Sequence, residues 1–301
     1  MIELKEIVQE YWPLKFAMAY GSAVFSQKDY SKDDKPMIDL VFGVSDAYSF
    51  HMLNMDKHPQ DYSLFARMIG VEGVSFLQHT GGKIYYNPFV KFGGSEIKYG
   101  VISIDDLVMD LIEWNNLYIP GRMHKPVMKL ESDEEVDRAM KRNLTNAVHV
   151  ACLLLPESFS EEEFYITIAG ISYMGDSRMN SFENPKKIVN IVESNFDGFR
   201  ELYDPIETDF LVRLPFGIMA QDKDPTTQKV LFRTLPQGLL SAITGDVNFE
   251  DSDTIKSAIK GSISRIVYRS SIVQTIKGFF SSGVGKSYRY VSEKYRKRKK
   301  H

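Results

Sequence analysis

The run Met37–Val44 (MIDLVFGV) is apolar at every position but one, and the exception is a carboxylate, Asp39. A β-branched apolar run of this length reads as a buried strand, so the chain must build a sheet that carries one charged group in its interior. What lies before that strand decides what the charge is for.

Phe16–Tyr20 is a second apolar stretch, and it runs into Gly21-Ser22, where small residues permit a sharp turn into Ala23–Phe25. The expected order is strand, tight turn, helix start, with the polar run Ser26–Lys35 as a loop before the Asp39 strand. A strand that ends in Gly-Ser and opens a helix leaves backbone N–H groups aimed at one spot beside a hydroxyl, which is a phosphate cradle. Gly-Ser followed some seventeen positions later by Ile38-Asp39-Leu40 resembles the way polymerase-β-like nucleotidyltransferases hold a triphosphate and its magnesium ion. Each half alone is common: Gly-Ser turns abound, and a lone strand Asp is more often a cap.

Alternation continues in Ile84–Phe92 and, after Gly93-Gly94, in Glu96–Ser103, which reads as a hairpin closed by a glycine turn. Leu4–Trp12 reads as a short helix. Beyond Ile104 the periodicity becomes helical. Glu134–Leu155 is a helix stopped by Pro156, Ser160-Glu161-Glu162-Glu163 is a capping-box start, and Asn184–Tyr203 continues the helical content. Apolar pieces at Leu211–Leu214 and Val230–Phe232 are expected to form a small hairpin. The fold class is therefore α+β: a mixed sheet over residues 1–104, a mostly helical region over 105–252, and a C-terminal region over 253–301.

Of 301 residues 43% are hydrophobic, enough for a sizeable core, but no stretch approaches the roughly 18 apolar residues of a spanning helix. The opening MIELKEIVQEYW carries acids where a targeting leader would be basic, so membrane contact is expected to be peripheral. The single Cys152, in the apolar run VACLLL, reads as a core residue in a reducing compartment. Charge is unevenly spread. From Gly285 to His301 there are eight basic residues against Glu293 alone, so the tail carries +7 and the rest −10 of the net −3. Just before it, Ile272, Val273, Ile276, Phe279, Phe280, Val284 and Tyr288 fall on one helical face. That pattern suits an anionic membrane surface, at about 1 kcal/mol per basic residue, although the same face could pack on the protein's own core. Nucleic acid is not expected as a partner, because the remainder is acidic and no reading motif accompanies the tail.

Longer strings narrow the reading. YGSAVF (Tyr20–Phe25), MIDLVFGV, YYNP (Tyr85–Pro88), IKYGVIS (Ile97–Ser103), WNNLYIPGRMHKPV (Trp114–Val127) and LLPESFSEEE (Leu154–Glu163) closely resemble the mitochondrial-type phosphatidate cytidylyltransferases. So do IAGISYMGDSRM (Ile168–Met179), FRELY (Phe199–Tyr203) and RSSIVQTIKGFFSSG (Arg269–Gly283). This resemblance spans nearly the whole chain. It implies transfer of CMP from CTP to phosphatidic acid, giving CDP-diacylglycerol and pyrophosphate. It also implies a nucleotidyltransferase domain joined to a winged-helix-like one, acting at the cytoplasmic face of a bacterial membrane or, in a mitochondrial member, at the matrix face of the inner membrane. Two other readings stay open on the residues: a nucleotidyltransferase acting on RNA or a small phosphorylated acceptor, and a non-catalytic membrane assembly factor.

One departure from the wider superfamily matters: the positions two residues either side of Asp39 are Met37 and Val41, so the usual second acid is missing. Paired acids serve to bind two metals and activate a hydroxyl. An acceptor phosphate, with a second pKa of about 6, is already anionic. One Mg²⁺ is therefore expected, on Asp39 and the triphosphate. Tyr20, Gly21, Ser22 and Lys98 are the expected nucleotide contacts. Lys98 and Glu96 share a strand face, which makes Glu96 a weaker metal candidate. Arg122, His124 and Lys125 cluster in GRMHKP. On residues alone this is equally a plain basic loop, and with the resemblance Arg122 and Lys125 become phosphate contacts and His124 a lesser candidate. Asp176 and Arg178 read as a structural ion pair.

Overall fold

The computed structural model describes residues 4–25, 37–176 and 186–298. A mixed five-stranded sheet runs in the order β3 (Tyr85–Phe92), β4 (Ser95–Ser103), β2 (Ile38–Val44), β1 (Phe16–Tyr20), β5 (Met128–Glu131). Only β2 and β4 are parallel; β1–β2, β1–β5 and the β3–β4 hairpin are antiparallel. The residues Tyr20, Asp39 and Lys98 stand in register across three strands, so their side chains share one face.

The opposite face presents Ala17, Ala19, Leu40, Phe42, Ile97, Tyr99 and Val101 to a core shared with α1 (Leu4–Glu10) and α2 (Ala47–Lys57). Deep in it, Asp61 accepts hydrogen bonds from the hydroxyls of Tyr11 and Tyr99, both at 2.8 Å. The Tyr99 oxygen in turn accepts from Asn54 at 2.7 Å and Asn87 at 2.9 Å. The network ties both helices to β3 and β4 and fixes the backbone on either side of Tyr99, and hence Lys98. Beside it α3 (Leu64–Gln78) packs on α2, its N-terminus capped by Ser63.

On the Asp39 face, Phe16, Met18, Val41, Tyr86 and Ile102 join one continuous apolar cluster with the helical half. That half comprises α4 (Ile104–Glu113), α5 (Pro120–Met123), α6 (Glu134–Leu154), α7 (Glu161–Gly170), α8 (Lys187–Ser194), α9 (Phe196–Tyr203), α10 (Pro225–Arg233), α11 (Gln237–Ser241) and α12 (Ser252–Arg298). The long α6 is capped by Asp133, and α7 by the expected capping box of Ser160 and Glu163. Residue 104 marks the passage from β4 to α4, yet β5, from beyond it, supplies the sheet's edge strand.

Three expectations change. A three-stranded sheet of β6 (Ser158–Ser160), β8 (Ile218–Ala220) and β7 (Val212–Leu214) replaces the hairpin drawn to Val230–Phe232, which lies inside α10. The cause is local: Asp224 caps α10 by accepting from Thr226 N, and Pro225 starts it, which commits the following residues to helix. Second, Ala23–Phe25 forms a turn, with Val24 N and Phe25 N both donating to Gly21 O, and the continuation of the expected helix lies outside the described residues. Third, α12 begins about twenty residues before the expected tail helix. Its inward face there carries Ser270, Ser271, Gln274, Lys277 and Ser281, while Ile276 and Phe280 are exposed. No helix among the described residues is long and apolar enough to cross a membrane. Ser26–Lys35 and Arg178 lie outside the described residues.

Replacing Asp61 by Ala leaves two buried phenols without an acceptor and should lower unfolding free energy by about 3 kcal/mol, with Asp61→Asn losing less because it keeps one acceptor oxygen. Urea denaturation checks this, and a loss below roughly 0.5 kcal/mol for the Ala variant would remove the network from the account of stability.

Candidate active site

Asp39 sits at the start of β2, and its Oδ1 lies 3.3 Å from Lys98 Nζ on the adjoining parallel strand. Both side chains keep some solvent contact, 30% and 19%, so the pair faces a cleft rather than the core. Gly21, at the end of β1, has φ +83, a left-handed conformation that glycine adopts without strain. A side chain built there would stand 3.5 Å from Asp39 Oδ2, so the turn's backbone passes directly against the carboxylate. Ser22 follows in the same turn, half-exposed.

Aromatic rings hold the cations. Lys98 Nζ lies 4.3 Å from the centre of the Tyr86 ring, and the Tyr86 hydroxyl is 3.3 Å from that of Tyr20. The Arg122 guanidinium is 5.5 Å from the Tyr20 ring and 3.9 Å from that of Tyr118, and it donates to Tyr118 O. Burial pushes the phenols of Tyr20 and Tyr86 well above the ordinary tyrosine value, so they stay protonated donors. Thus Tyr20, Gly21, Asp39, Lys98 and Arg122 come together.

Lys125, one turn after Arg122, donates to Gly121 O and, at 3.0 Å, to Ser172 Oγ. The Tyr173 ring is 5.1 Å from its ammonium and 5.3 Å from that of Lys187. Gly121 is required here because a side chain would meet Ser172 Cβ at 2.2 Å. Burial first, then the charges of Arg122 and Lys187, bring Lys125 down to about 7. The ammonium is therefore poised to gain from an anion that would restore its charge.

His124 is not part of the cleft. It is fully buried, its ring 5.1 Å from that of Trp114, and burial followed by the charge of Lys125 lowers it to about 3. Its Nε2 donates to Asn143 Oδ1 at 3.1 Å, because that oxygen also accepts from Trp114 Nε1 at 2.8 Å while Asn143 Nδ2 donates to Pro120 O. The ring is neutral and buried, held through Nε2 while its Nδ1 has no hydrogen-bond partner, and it fixes the loop. Glu96 shares the face of Lys98 but lies one pleat further along β4, opposite Lys91. No group of three or more His, Cys, Asp and Glu able to hold a metal occurs among the described residues.

Tyr86, Tyr118, Ser172, Tyr173 and Lys187 were not singled out from sequence. The first four stand inside the strings YYNP, WNNLYIPGRMHKPV and IAGISYMGDSRM, so the signal existed, but only contact with Lys98, Arg122 and Lys125 separates them from ordinary core tyrosines. Chemically, the cleft offers one carboxylate to a metal and several cations to a polyanion.

The chain is similar to known proteins along nearly its whole length. The sequence model of the family described as "Phosphatidate cytidylyltransferase, mitochondrial" matches residues 4–297. Relatives carrying that same name include proteins of Mus musculus, 40% identical over 94% of this chain and 90% of their own, and Dictyostelium discoideum, 34% identical over 99% and 84%. Another, from Schizosaccharomyces pombe, is 34% identical over 95% of this chain and 80% of its own.

With Lys125 near pH 7 in the free protein, anion binding must carry a proton with it above that pH. Affinity for inorganic pyrophosphate should therefore fall with rising pH, by at most about tenfold per unit, relative to Lys125→Arg, whose charge is permanent. Calorimetric titration from pH 6 to 9 measures the difference between the two proteins, which cancels the ligand's own ionisation. Parallel curves would show that Lys125 carries a full charge throughout.

Proposed function

The chain belongs to the mitochondrial phosphatidate cytidylyltransferase family, and on that premise we propose that it transfers CMP from CTP to phosphatidic acid at the cleft around Asp39. An oxygen of the lipid phosphate attacks the α-phosphorus of CTP and forms a new P–O–P linkage. The bond from that phosphorus to the β-bridging oxygen breaks, and pyrophosphate leaves, so CDP-diacylglycerol is the product.

The observation that carries this reading is the carboxylate of Asp39 paired with Lys98 on a face where Arg122 meets the Tyr20 ring, with Lys125 beside Arg122 in the same loop. A hydroxyl nucleophile would need a base, whereas a phosphate with a second pKa of about 6 arrives already ionised. The difficulty is bringing two anions together, and this calls for cations and positioning. In this assignment the turn of Gly21 and Ser22, with Tyr20 and Lys98, receives the triphosphate. Arg122 spans its phosphates and the acceptor's, and Lys125, restored to full charge by the lipid phosphate, orients the attack. The buried phenols donate hydrogen bonds without competing as anions. Asp39 is the ligand for Mg²⁺, and the donor set fits, since that ion takes one or two carboxylates and fills its remaining positions with water and substrate phosphates. When bound, it would offset the charge that develops on the transferred phosphoryl group.

The short β6–β8–β7 sheet beside α6 and α7 supports reading the helical half as winged-helix-like. The +7 tail supports peripheral attachment to an anionic membrane, and the acidic remainder argues against nucleic acid as a partner. Relatives named mitochondrial suggest that organelle's membranes as the site of action.

Purified protein given CTP, Mg²⁺ and phosphatidic acid vesicles should release pyrophosphate and form CDP-diacylglycerol, scored by radiolabelled CTP. Asp39→Ala should lower turnover on the order of 10³-fold with an unchanged circular dichroism spectrum. Turnover within tenfold of wild type would remove Asp39 as the metal ligand.

A further inference from the structure

The helix α3, kinked at Gly70, buries Ala66 and Val74 but leaves four large apolar side chains outside. Leu64, Met68 and Phe76 are 73%, 84% and 73% exposed, and Phe65 is exposed beside them. A solvent-facing helix normally shows polar residues on that side. The neighbouring α12 has the same inversion: Ser270, Ser271, Gln274, Lys277 and Ser281 face inward while Ile276 and Phe280 face out. The two helices are locked together. Phe65 and Phe280 lie 5.1 Å apart, Ser63 Oγ donates to Phe280 O at 3.0 Å, and Lys277 Nζ reaches Gln78 O at 3.3 Å and Thr80 O at 2.8 Å. The Lys277 amine, lowered to about 7 by burial, donates to those last carbonyls and so caps the end of α3. On the polar inward face of α12, Lys277 fastens it to the end of α3 while Ser270, Ser271 and Ser281 bond to carbonyls of their own helix, and the apolar side chains of the two helices meet at Phe65 and Phe280.

We propose that α3 and the middle of α12 form a second membrane-contact plane, in which Leu64, Phe65, Met68, Phe76, Ile276 and Phe280 enter the interfacial layer of a bilayer containing phosphatidic acid. Three observations select a membrane. The helix α12 continues from this plane into the basic run Lys286–Arg298, so apolar and cationic contacts follow one another along a single rod, as interfacial binding requires. The rest of the chain is acidic and would be repelled from an anionic surface elsewhere, so attachment through this rod dictates which side faces the lipid. The plane also adjoins the cleft: a side chain on Gly82 would meet Gln274 Nε2 of α12 at 2.9 Å and Tyr118 Cβ at 3.0 Å, and Tyr118 carries Arg122. The wall that carries Arg122 thus lies against the inner side of the helix whose outer side is assigned to the bilayer. This inference rests on the reading of phosphatidic acid as acceptor.

The test uses the full chain with Leu64→Ser, Met68→Ser and Phe76→Ser combined, all at exposed positions outside the cleft. Partition onto phosphatidylcholine vesicles containing phosphatidic acid should fall on the order of tenfold or more with the tail intact, and turnover of vesicle-borne phosphatidic acid should fall with it. Turnover of dispersed short-chain phosphatidic acid should be unchanged, which also shows the variant folded. Unchanged partition overturns the proposal. So does a wild-type dimer that the substitutions convert to monomer without loss of partition, because the face would then bind a second copy. If the wild type turns over neither substrate, the assignment of the reaction fails, while partition still decides the membrane plane.

Discussion

The parallel pairing of β2 with β4 is what the rest of the molecule is arranged around, because it brings Asp39 opposite Lys98. An ion pair with this much solvent contact adds little to stability. In the proposed reaction its value lies in exchange: a metal ion on Asp39 would release Lys98 to phosphate, so each group would meet a ligand in place of the other.

Besides the carboxylate that meets Lys98, aromatic rings hold the cations of the cleft, and a ring does not compete with an anionic ligand. Lys98 lies over Tyr86, Arg122 over Tyr118 and Tyr20, and Lys125 and Lys187 over Tyr173. A ring face attracts a cation without cancelling its charge, so orientation is fixed while the field remains for the ligand. Keeping those phenols protonated is part of the same device, since an ionised Tyr20 would be one more anion in the way. The reaction class agrees with it: where the nucleophile arrives ionised, the protein's task is to hold positive charge still.

How much of this was legible in the chain depended on whether the cause was local. The apolar runs of β1, β2 and the β3–β4 hairpin, the Gly21-Ser22 turn and the Ser160–Glu163 capping box were visible because neighbouring residues decide them. The meeting of Asp39 with Lys98 depends on strand order, which periodicity does not report. The β7 strand was drawn to the wrong partner because all three of its residues are exposed, leaving no alternation to follow. His124 looked available among Arg122 and Lys125 because sequence spacing cannot say that Asn143, nineteen residues on, holds its ring inside. For α12 the amphipathic pattern was real, but the helix meets α3 through both Lys277 of its polar face and Phe280 of its apolar face, which no rule of periodicity predicts.

The same loop shows why the two halves of the chain make one site. Arg122 and Lys125 hang from α5, too short a helix to hold itself. Its place is set by α6, through Asn143, which bonds both His124 and Pro120 O, and by α9, whose Tyr203 hydroxyl donates to His124 O at 2.9 Å. Arg122 and Lys125 are thus anchored in the helical half. A shift of one half against the other would leave each core intact and pull Arg122 away from Tyr20, so the continuous apolar cluster that joins the halves also sets the spacing between the Asp39 strand and these two basic side chains.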